Sequence, residues 1–411
     1  MLKPSTTSPL APAIARPGRP MRIALIAHHT APIAPPFVGG VESHTWYLAR
    51  WLAERGHAVT LFAMEGTEIP GVEVVPLVMN EAVFSEHGRR DVASRPGPFL
   101  SAHHAYLGLM TQLARSCSYD VVHINTLHYL PVSMASTLAA PALLTLHCPP
   151  TPWLESALAL RDDTGADRPL HISAVSSALA EQWSHIVDRP TIVRNGIDTQ
   201  HWCFGEGGTY AAWAGRIVPE KAPHLAIEAA RAAGLPIRLA GPIFDEPYWE
   251  QYVRPLLGAG VAYEGHLGHE ELVRLVGGAR VAIQSPDWEE PFGLAAAEAM
   301  SCGTPVAAFA RGGLREVIGP RGGALAAPGD GAALARAIAI ASRLDRRDVR
   351  AYALEHVGLD GMGRGFERVY EAIREPRTFR LPASLWPAGV PLDGMADPYG
   401  LDEQLEGVVG A

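Results

Sequence analysis

Residues 21–63 decide the fold class, and they read MRIALIAHHTAPIAPPFVGGVESHTWYLARWLAERGHAVTLFA. The first run is short, apolar and rich in branched residues, which is typical of a buried strand. After a loop rich in proline, apolar residues recur at helical spacing in VESHTWYLARWLAERGH, and AVTLFA then predicts a second strand. Strand, loop, helix and strand in this order favour a parallel sheet of the doubly wound kind.

The same alternation continues along the chain and then starts again. Later strands are predicted in YDVVHIN, PALLTLH, HISAVS and PTIVRNGID. A second series begins with TYAAWAGRI and continues through PIRLAG, VAYEGH, RVAIQSP and GTPVAAFA, with helical stretches between them. Because RNGID is a turn-prone break, we predict an α/β fold of two Rossmann-like domains, residues 21–198 and 199–360, facing each other across a cleft.

The two ends of the chain differ in composition from the rest. Residues 1–20 contain proline too often for the apolar core of a signal peptide, so we expect a disordered leader. Residues 361–411 begin with a predicted helix and continue into a tail rich in proline and glycine, which we expect to return to the first domain. No apolar run reaches the roughly 18 residues of a membrane span.

Composition and charge narrow the classes of partner. The chain has 411 residues, of which 48% are hydrophobic, and a formal net charge of −9, which gives no general affinity for nucleic acid or anionic membranes. The four cysteines are scattered without C-x-x-C spacing, which indicates a cytoplasmic setting and neither a disulfide framework nor a zinc site. Lys3 and Lys221 are the only lysines, so a lysine at position 221 stands out in a chain that otherwise uses arginine.

Gly39 and Gly40 lie between the first predicted strand and its helix. Backbone amides can approach an anion closely at such a helix N-terminus. A tight turn without a ligand is the alternative interpretation. Nicotinamide binding is disfavoured, because the glycine spacing departs from G-x-G-x-x-G even though Glu65 lies near the end of the second strand.

Two cations flank the turn after the strand TYAAWAGRI. Arg216 ends the strand, and Lys221 follows five residues later at the predicted start of the next helix. Together they are suited to a diphosphate, which Arg216 would grip as a fork and Lys221 would meet as a point charge. A solvated surface pair is the alternative.

Three acids occur in EEPFGLAAAEAM, residues 289–300, in which a helix is predicted over 294–302. Glu290 precedes this helix at the carboxyl end of the strand RVAIQSP, where ligands bind in open α/β sheets. Glu298 lies in the second turn and is expected to face the same cleft. The alternative is that Glu289, Glu290 and Glu298 are exposed acids that interact with the helix dipole.

Taken together, these features resemble the retaining glycosyltransferases of family 4, which have the GT-B fold. The resemblance covers most of residues 21–374. It is carried by GGVE, HINTLH, LLTLHCPP, RNGID, GRIVPEK and YEGHLGHEELVRLVGGARVAIQSPDWEEPFGLAAAEAMSCGTPVAA. The last segment contains the family's two glutamates separated by seven residues, here Glu290 and Glu298. Ala222 is a departure, because the family usually has glycine after the lysine.

The resemblance implies a role for individual residues toward a sugar-nucleotide donor. Arg216 and Lys221 would hold the nucleotide diphosphate, and Glu298 would accept hydrogen bonds from the ribose hydroxyls. Glu290 would lie beside the hydroxyls of the donor sugar and act electrostatically. Further donor contacts are implied at the backbone of Gly39, Gly40, Phe292, Gly293 and Leu294.

The resemblance also implies a catalytic or orienting role for His147, at the end of the strand PALLTLH, because the family has a histidine near the reacting centre. A structural histidine is the alternative. Candidates for the acceptor pocket lie in neighbouring segments, and they are His123, Asn125, His128, Tyr129 and Trp153.

The resemblance implies transfer of a hexose-type sugar from a nucleotide diphosphate to a hydroxyl or amine, with retention of configuration and without cofactor or metal. UDP is favoured as the commonest donor nucleotide of the family. Residues 1–195 carry 14 Lys and Arg against 15 Asp and Glu, so this domain lacks the basic face of membrane-acting members, and we expect a soluble small-molecule acceptor. The oligomeric state stays open.

Other functions compete with sugar transfer. A glycoside hydrolase needs two carboxylates flanking one bond but not the cations Arg216 and Lys221. A nucleotide-sugar epimerase on the same fold would form product without an acceptor, and a non-catalytic sugar-nucleotide-binding protein would not turn over at all. A metal-dependent transferase of the other common fold would have Asp-x-Asp after a strand, whereas RDDTGAD, residues 161–167, lies in a polar loop.

Overall fold

The computed structural model describes residues 19–81, 83–90, 97–115, 118–161 and 169–374. The first domain contains a parallel sheet of seven strands in the order β3-β2-β1-β4-β5-β6-β7. Its strands are β1 Arg22–Ile26, β2 Ala58–Ala63, β3 Glu73–Pro76, β4 Val121–Ile124, β5 Ala142–Leu146, β6 His171–Ala174 and β7 Thr191–Ile192. Its helices are α1 Gly40–Glu54, α2 Glu86–Arg89, α3 Gly97–Ala114, α4 Tyr129–Ser133, α5 Pro152–Ala159 and α6 Ser177–Gln182.

The second domain contains a parallel sheet of six strands in the order β10-β9-β8-β11-β12-β13. Its strands are β8 Ala211–Ala214, β9 Ile237–Ala240, β10 Val261–Tyr263, β11 Val281–Gln284, β12 Val306–Phe309 and β13 Gly323–Ala326. The remaining helices are α7 Pro223–Ala232, α8 Glu246–Tyr248, α9 His269–Gly277, α10 Leu294–Ser301, α11 Leu314–Ile318, α12 Gly331–Ala341, α13 Arg346–His356 and α14 Leu359–Arg374. The predicted pair of Rossmann-like domains is thereby confirmed.

The first strand is buried on both faces, as a central parallel strand requires. Ile23, Ala24, Leu25 and Ile26 are all fully buried, and β1 pairs with β2 on one side and with β4 on the other. The apolar face of α1 covers the sheet through residues such as Leu48. The continuous apolar run and the helical periodicity of residues 21–63 therefore correspond to the middle of the first domain.

Two short strands of the structure escaped the sequence pattern. β3 consists of EVVP and is only partly buried, and β13 consists of GALA, in which Leu325 is the one large residue. Both lie at a sheet edge, where one neighbour suffices and the apolar signal is weak. Their absence from the prediction changes the strand count but not the topology.

Helix α14 packs against the first domain although it follows the second. Phe366 and Tyr370 are buried in the core that contains α1, and the backbone of Gly363 lies directly against the ring of Trp51. A carboxylate oxygen of Glu367 also lies within hydrogen-bond distance of His57 Nε2, at 3.0 Å. Of the helices in the described ranges, none combines the length and apolarity needed to cross a membrane.

Candidate functional site

A cavity of about 360 Å³ lies between the two sheets at the carboxyl ends of their strands. In the second sheet the strand order reverses between β8 and β11, and ligands bind in open α/β sheets at such a point. Arg216 follows β8 and Glu290 follows β11, so both reach the cavity wall. Gly39, Gly40 and His147 line the cavity from the first domain. The fold thus brings together sequence-predicted residues from both halves of the chain.

A short ion pair on the cavity wall joins Lys221 to Glu290, with 2.5 Å between Nζ and Oε2. Trp288 supports both partners. Its indole Nε1 donates a hydrogen bond to Glu290 Oε2 at 2.9 Å, and the Lys221 ammonium lies 5.0 Å from the ring centroid. These contacts fix the position of the Lys221 ammonium, and a fixed charge is the condition for electrostatic stabilisation of a developing negative charge.

Ala222, next to this lysine, has a left-handed backbone with φ of 43° and ψ of 54°. The residue is buried, and the hydroxyl of Ser285 donates to its carbonyl oxygen at 2.9 Å. A non-glycine residue in this conformation costs about 1–2 kcal/mol. This backbone shape suits the glycine that usually follows the lysine in the family that the sequence resembles. With alanine at position 222, the backbone of the loop is strained.

Arg216 is the more exposed of the two cations, with 38% of its side chain exposed against 20% for Lys221. Its guanidinium lies 5.5 Å from the ring centroid of Phe244 and 3.9 Å from a carboxylate oxygen of Glu220. A guanidinium has five N–H donors, and these two contacts leave most of them available to a ligand.

Glu289 anchors the loop that presents Glu290. Its carboxylate accepts a hydrogen bond from the backbone N–H of Gly312 at 2.6 Å and pairs with Arg311 at 3.2 Å. The backbone N–H of Gly313 then donates to the carbonyl of Glu290 at 2.8 Å. The sequence suggested no specific role for Glu289, because its partners lie more than twenty residues further along the chain.

The N-terminus of α10 completes the second-domain wall of the cavity, where Phe292, Gly293 and Leu294 are lining residues. Gly293 has a φ of 102°, and an added Cβ would lie 2.5 Å from the side chain of Leu314. Glycine is therefore required here both by conformation and by space. The start of α10 thereby lies at the cavity wall, where the unpaired backbone amides of a helix N-terminus favour an anion.

Glu298 lies on α10 and lines the same cavity. Burial raises the pKa of its carboxyl to about 7. Within the described part of the chain, no hydrogen bond to its carboxyl oxygens is present. The group is therefore poised between its acid and carboxylate forms near neutral pH, with its oxygens available to hydroxyl donors.

The first-domain wall approaches α10 closely at Gly40, where an added Cβ would lie 2.8 Å from Leu294 Cδ1 of the second domain. Glu42, in the first turn of α1, is buried and accepts a hydrogen bond from the hydroxyl of Thr30 at 3.0 Å. Sequence reasoning gave Glu42 no role beyond its place in GGVE, and the structure shows that it orders the loop before α1.

His147 follows β5, is buried and lines the cavity. Its Nε2 hydrogen-bonds Asn125 Oδ1 at 2.5 Å, and its ring centroid lies 4.6 Å from that of His44 in an edge-on contact. Burial, together with His44 and His123, holds the pKa of His147 well below its ordinary value. The imidazole is therefore neutral at physiological pH.

Two of the acceptor candidates lie behind the cavity wall. His123 is fully buried, with its ring nitrogens bonded to Tyr370 Oη at 2.8 Å and Thr145 Oγ1 at 2.7 Å. It does not line the cavity, so the structure does not bring it to an acceptor. Asn125 is also fully buried and contacts His147 instead. The apolar run YDVVHIN already contained the signal for this burial.

The other three candidates are not among the described residues that line the cavity, and they form an aromatic row that begins at His128, next in sequence to the lining residue Leu127. The ring centroid of Tyr129 lies 4.8 Å from that of His128 and 5.1 Å from that of Trp153. Trp153 is 46% exposed, and burial lowers the pKa of His128 to about 4.

Although histidines are dense here, the described residues include no group of three or more His, Cys, Asp or Glu placed to hold a metal ion.

Hydrogen bonds from Ser176 and Glu316 join the two domains next to the loop of Glu290, and we call this group of contacts the latch. The hydroxyl of Ser176, in the first domain, donates to the carbonyl oxygen of Pro291 at 2.6 Å. Glu316, in the second domain, accepts hydrogen bonds from the backbone N–H groups of Ser177 at 3.2 Å and Ala178 at 2.8 Å. A carboxylate at a helix N-terminus is favoured by the helix dipole, so the start of α6 fastens to the second domain.

Two family profiles match consecutive parts of the chain. The profile described as Glycosyltransferase Family 4 matches residues 38–201, and the profile described as Glycosyl transferases group 1 matches residues 200–355. A D-inositol 3-phosphate glycosyltransferase of Stackebrandtia nassauensis is 28% identical over 360 residues, which cover 73% of this chain and 78% of the relative. A glycogen synthase of Mycobacterium tuberculosis is 27% identical over 361 residues, covering 77% of this chain and 85% of the relative.

Solved structures share the fold. AviGT4, a glycosyltransferase involved in avilamycin A biosynthesis, aligns with a TM-score of 0.66 at 20% identity, over 86% of this chain and 98% of its own. Anabaena HepE in complex with UDP and glucose aligns with a TM-score of 0.64 at 18% identity, over 86% of this chain and 100% of its own. These likenesses confirm the predicted fold of two domains facing a cleft.

Proposed function

We propose that this chain, which belongs to the glycosyltransferases of family 4, transfers a hexose-type sugar from a nucleotide diphosphate to a hydroxyl or amine with retention of configuration. The observation that carries the proposal is the ion pair of Lys221 and Glu290 at 2.5 Å, on the cavity wall where the strand order reverses. A fixed cation at this point suits a diphosphate leaving group. We favour a UDP-sugar as donor because UDP is the commonest donor nucleotide of the family.

In the proposed reaction the bond between the anomeric carbon and the diphosphate breaks, and a bond to the acceptor oxygen or nitrogen forms on the same face. The acceptor's proton passes to an oxygen of the leaving diphosphate. Arg216 and Lys221 offset the charge that develops on this group, and the backbone amides at the start of α10 add to the same potential. Glu290 holds Lys221 in place and lies beside the hydroxyls of the donor sugar.

Glu298 is proposed to bind the ribose hydroxyls of the nucleotide. Its carboxyl lines the cavity, and burial raises its pKa to about 7. Because a carboxylate is a better hydrogen-bond acceptor than a neutral acid, the two ribose hydroxyls should favour the ionised form. Donor binding is therefore expected to lower the pKa of Glu298 and release a proton.

We also propose a small acceptor without a phosphate group. Among the described first-domain residues that line the cavity, none is arginine or lysine, and several are apolar, such as Phe37, Leu127 and Val175. The Stackebrandtia relative is named for inositol 3-phosphate, and a phosphate is best bound by a cation. An uncharged polyol, glycoside, phenol or amine fits this wall better.

Transfer is tested by incubating the purified protein with UDP-glucose, GDP-mannose or ADP-glucose, each with inositol 3-phosphate or with unphosphorylated acceptors. We expect nucleotide release that requires both the UDP-sugar and an uncharged acceptor. Release that depends equally on inositol 3-phosphate would overturn the acceptor proposal. Conversion of the donor to an isomer without nucleotide release would identify an epimerase. Binding of the sugar nucleotide without any turnover would identify a non-catalytic protein.

A further inference from the structure

We infer that Asn125 is a positioning residue that fixes His147 as the tautomer protonated on Nε2, which leaves Nδ1 as a bare hydrogen-bond acceptor at the cavity. The consequence for sugar transfer rests on the function proposed above. Asn125 is fully buried and absent from the cavity wall, so it acts through His147 and does not contact the substrate itself.

Thr45 orients the amide of Asn125. The Thr45 hydroxyl donates its single proton to the carbonyl oxygen of Val41 at 2.7 Å, so toward Asn125 it is restricted to accepting. The Asn125 Nδ2 group donates to Thr45 Oγ1 at 2.9 Å. The other end of the amide, Oδ1, is thereby turned toward His147 Nε2 at 2.5 Å. A carbonyl oxygen only accepts, so the proton of this contact belongs to His147 Nε2.

Only one proton is present on the His147 ring. The titratable groups that act on its pKa are His44 from α1, His123 from β4 and His28 from the segment after β1. Burial lowers the pKa of each of these histidines, to about 4 for His44 and about 3 for His28, so all three are neutral, and a histidine offers no negative charge that would stabilise an imidazolium. With Nε2 protonated and the ring neutral, Nδ1 carries a free lone pair.

The tautomer decides what His147 recognises. A bare Nδ1 accepts a hydrogen bond from a hydroxyl or amine of the sugar or the acceptor. The opposite tautomer would present an N–H at the same point and would favour an anionic or carbonyl oxygen. The hydrogen bonds from Thr45 through Asn125 to His147, called the relay below, therefore prepare His147 to accept a hydrogen bond from a hydroxyl or amine.

Thr45 offers a matched pair of variants, because it is buried and lies outside the cavity wall. Thr45→Ser keeps the hydroxyl and is expected to behave like the unaltered protein. Thr45→Val has a similar shape but no acceptor, so the Asn125 amide is free to flip and to donate toward His147. We expect kcat to fall about tenfold, the scale of one hydrogen bond to a reacting group, with the KM for the donor nearly unchanged.

Two readouts separate this role from a merely structural one. In ¹⁵N spectra of the histidine ring nitrogens, assigned by comparison with His147→Gln, we expect protonated Nε2 in the unaltered protein and in Thr45→Ser, and a changed tautomer in Thr45→Val. In Asn125→Asp a carboxylate beside Nε2 should favour the imidazolium. The ratio of its activity to that of the unaltered protein should therefore rise with pH, as Nδ1 loses its proton.

The inference is overturned if the spectra show Nδ1 protonated in the unaltered protein, if Thr45→Val matches Thr45→Ser in kcat and spectrum, or if the Asn125→Asp activity ratio is flat with pH. The spectra need neither donor nor acceptor. If no sugar nucleotide supports turnover but the spectra show the expected tautomers, the proposed function fails while the assignment of the relay stands.

Discussion

The two walls of the cleft use opposite electrostatics. On the second-domain wall, the cation Lys221 is held in an ion pair with Glu290. On the first-domain wall, His147 is kept neutral by burial and oriented by an amide. In the proposed reaction, the wall with the fixed cation binds the charged leaving group, and the wall with the neutral histidine binds the uncharged nucleophile.

The largest effect is expected from removing the fixed cation. Lys221→Ala should lower kcat for sugar transfer by about a thousandfold, the upper range for loss of one preorganised group that stabilises developing charge. Lys221→Arg is the matched control, and we expect it to recover only part of the activity because a planar guanidinium does not replace a compact ammonium. Steady-state kinetics measure both, and near-normal turnover of Lys221→Ala would remove the assigned role.

A smaller loss is expected from breaking the latch that joins the walls. Glu316→Ala leaves the N–H groups of Ser177 and Ala178 without their carboxylate partner, so the loop of Pro291 should be held less firmly. We expect kcat to fall about tenfold with little change in nucleotide affinity.

Glu355→Ala is the control for the latch, because Glu355 has an exposed side chain and pairs with Arg321 at the surface. Its removal should leave turnover unchanged. If both variants behave alike, the contact at α6 does not organise the cleft.

The pH dependence of donor affinity tests Glu298. Its pKa of about 7 in the free protein should fall when ribose hydroxyls bind the carboxylate. Affinity for UDP should therefore be greatest above pH 7 and weaken as the pH falls through 7, by about fivefold between pH 8 and pH 6. Calorimetric titration across this range measures the effect. Glu298→Gln should remove this pH dependence of UDP affinity. If the pH dependence is unchanged in that variant, a group other than Glu298 causes it.

The smallest effect concerns the strained loop beside the lysine. Ala222→Gly should raise the free energy of unfolding by about 0.5 kcal/mol, since relief of the left-handed strain exceeds the entropy that glycine loses on folding. Ala232→Gly, at the exposed end of α7, should instead lower it by about 0.5–1 kcal/mol. Chemical denaturation compares the two, and a loss of stability in Ala222→Gly would show that no strain is stored there.

Much of the fold and the charged wall was predictable from the sequence. Strand and helix periods are local signals, and Lys221 stood out because the chain otherwise uses arginine. The orientation of His147 was not predictable, because it depends on Thr45, which is 80 residues from Asn125 and meets it only after folding. The contacts of Glu289 with Arg311 and Gly312 also join residues that are far apart in sequence. The same holds for the hydrogen bonds that Glu316 accepts from Ser177 and Ala178. An apolar period indicates burial, but it does not indicate which polar groups meet.

Whether the second-domain wall binds the diphosphate is tested most directly by measuring nucleotide binding as an increase in melting temperature. UDP, GDP and ADP are added at matched concentrations to the unaltered protein, Lys221→Ala and Thr45→Val, and each protein is compared with its own unliganded form. We predict that UDP stabilises the unaltered protein and Thr45→Val equally, by about 2.7 kcal/mol at a hundredfold excess over Kd, and that Lys221→Ala loses most of this gain. Equal stabilisation of Lys221→Ala would contradict the assignment of the diphosphate to the second-domain wall.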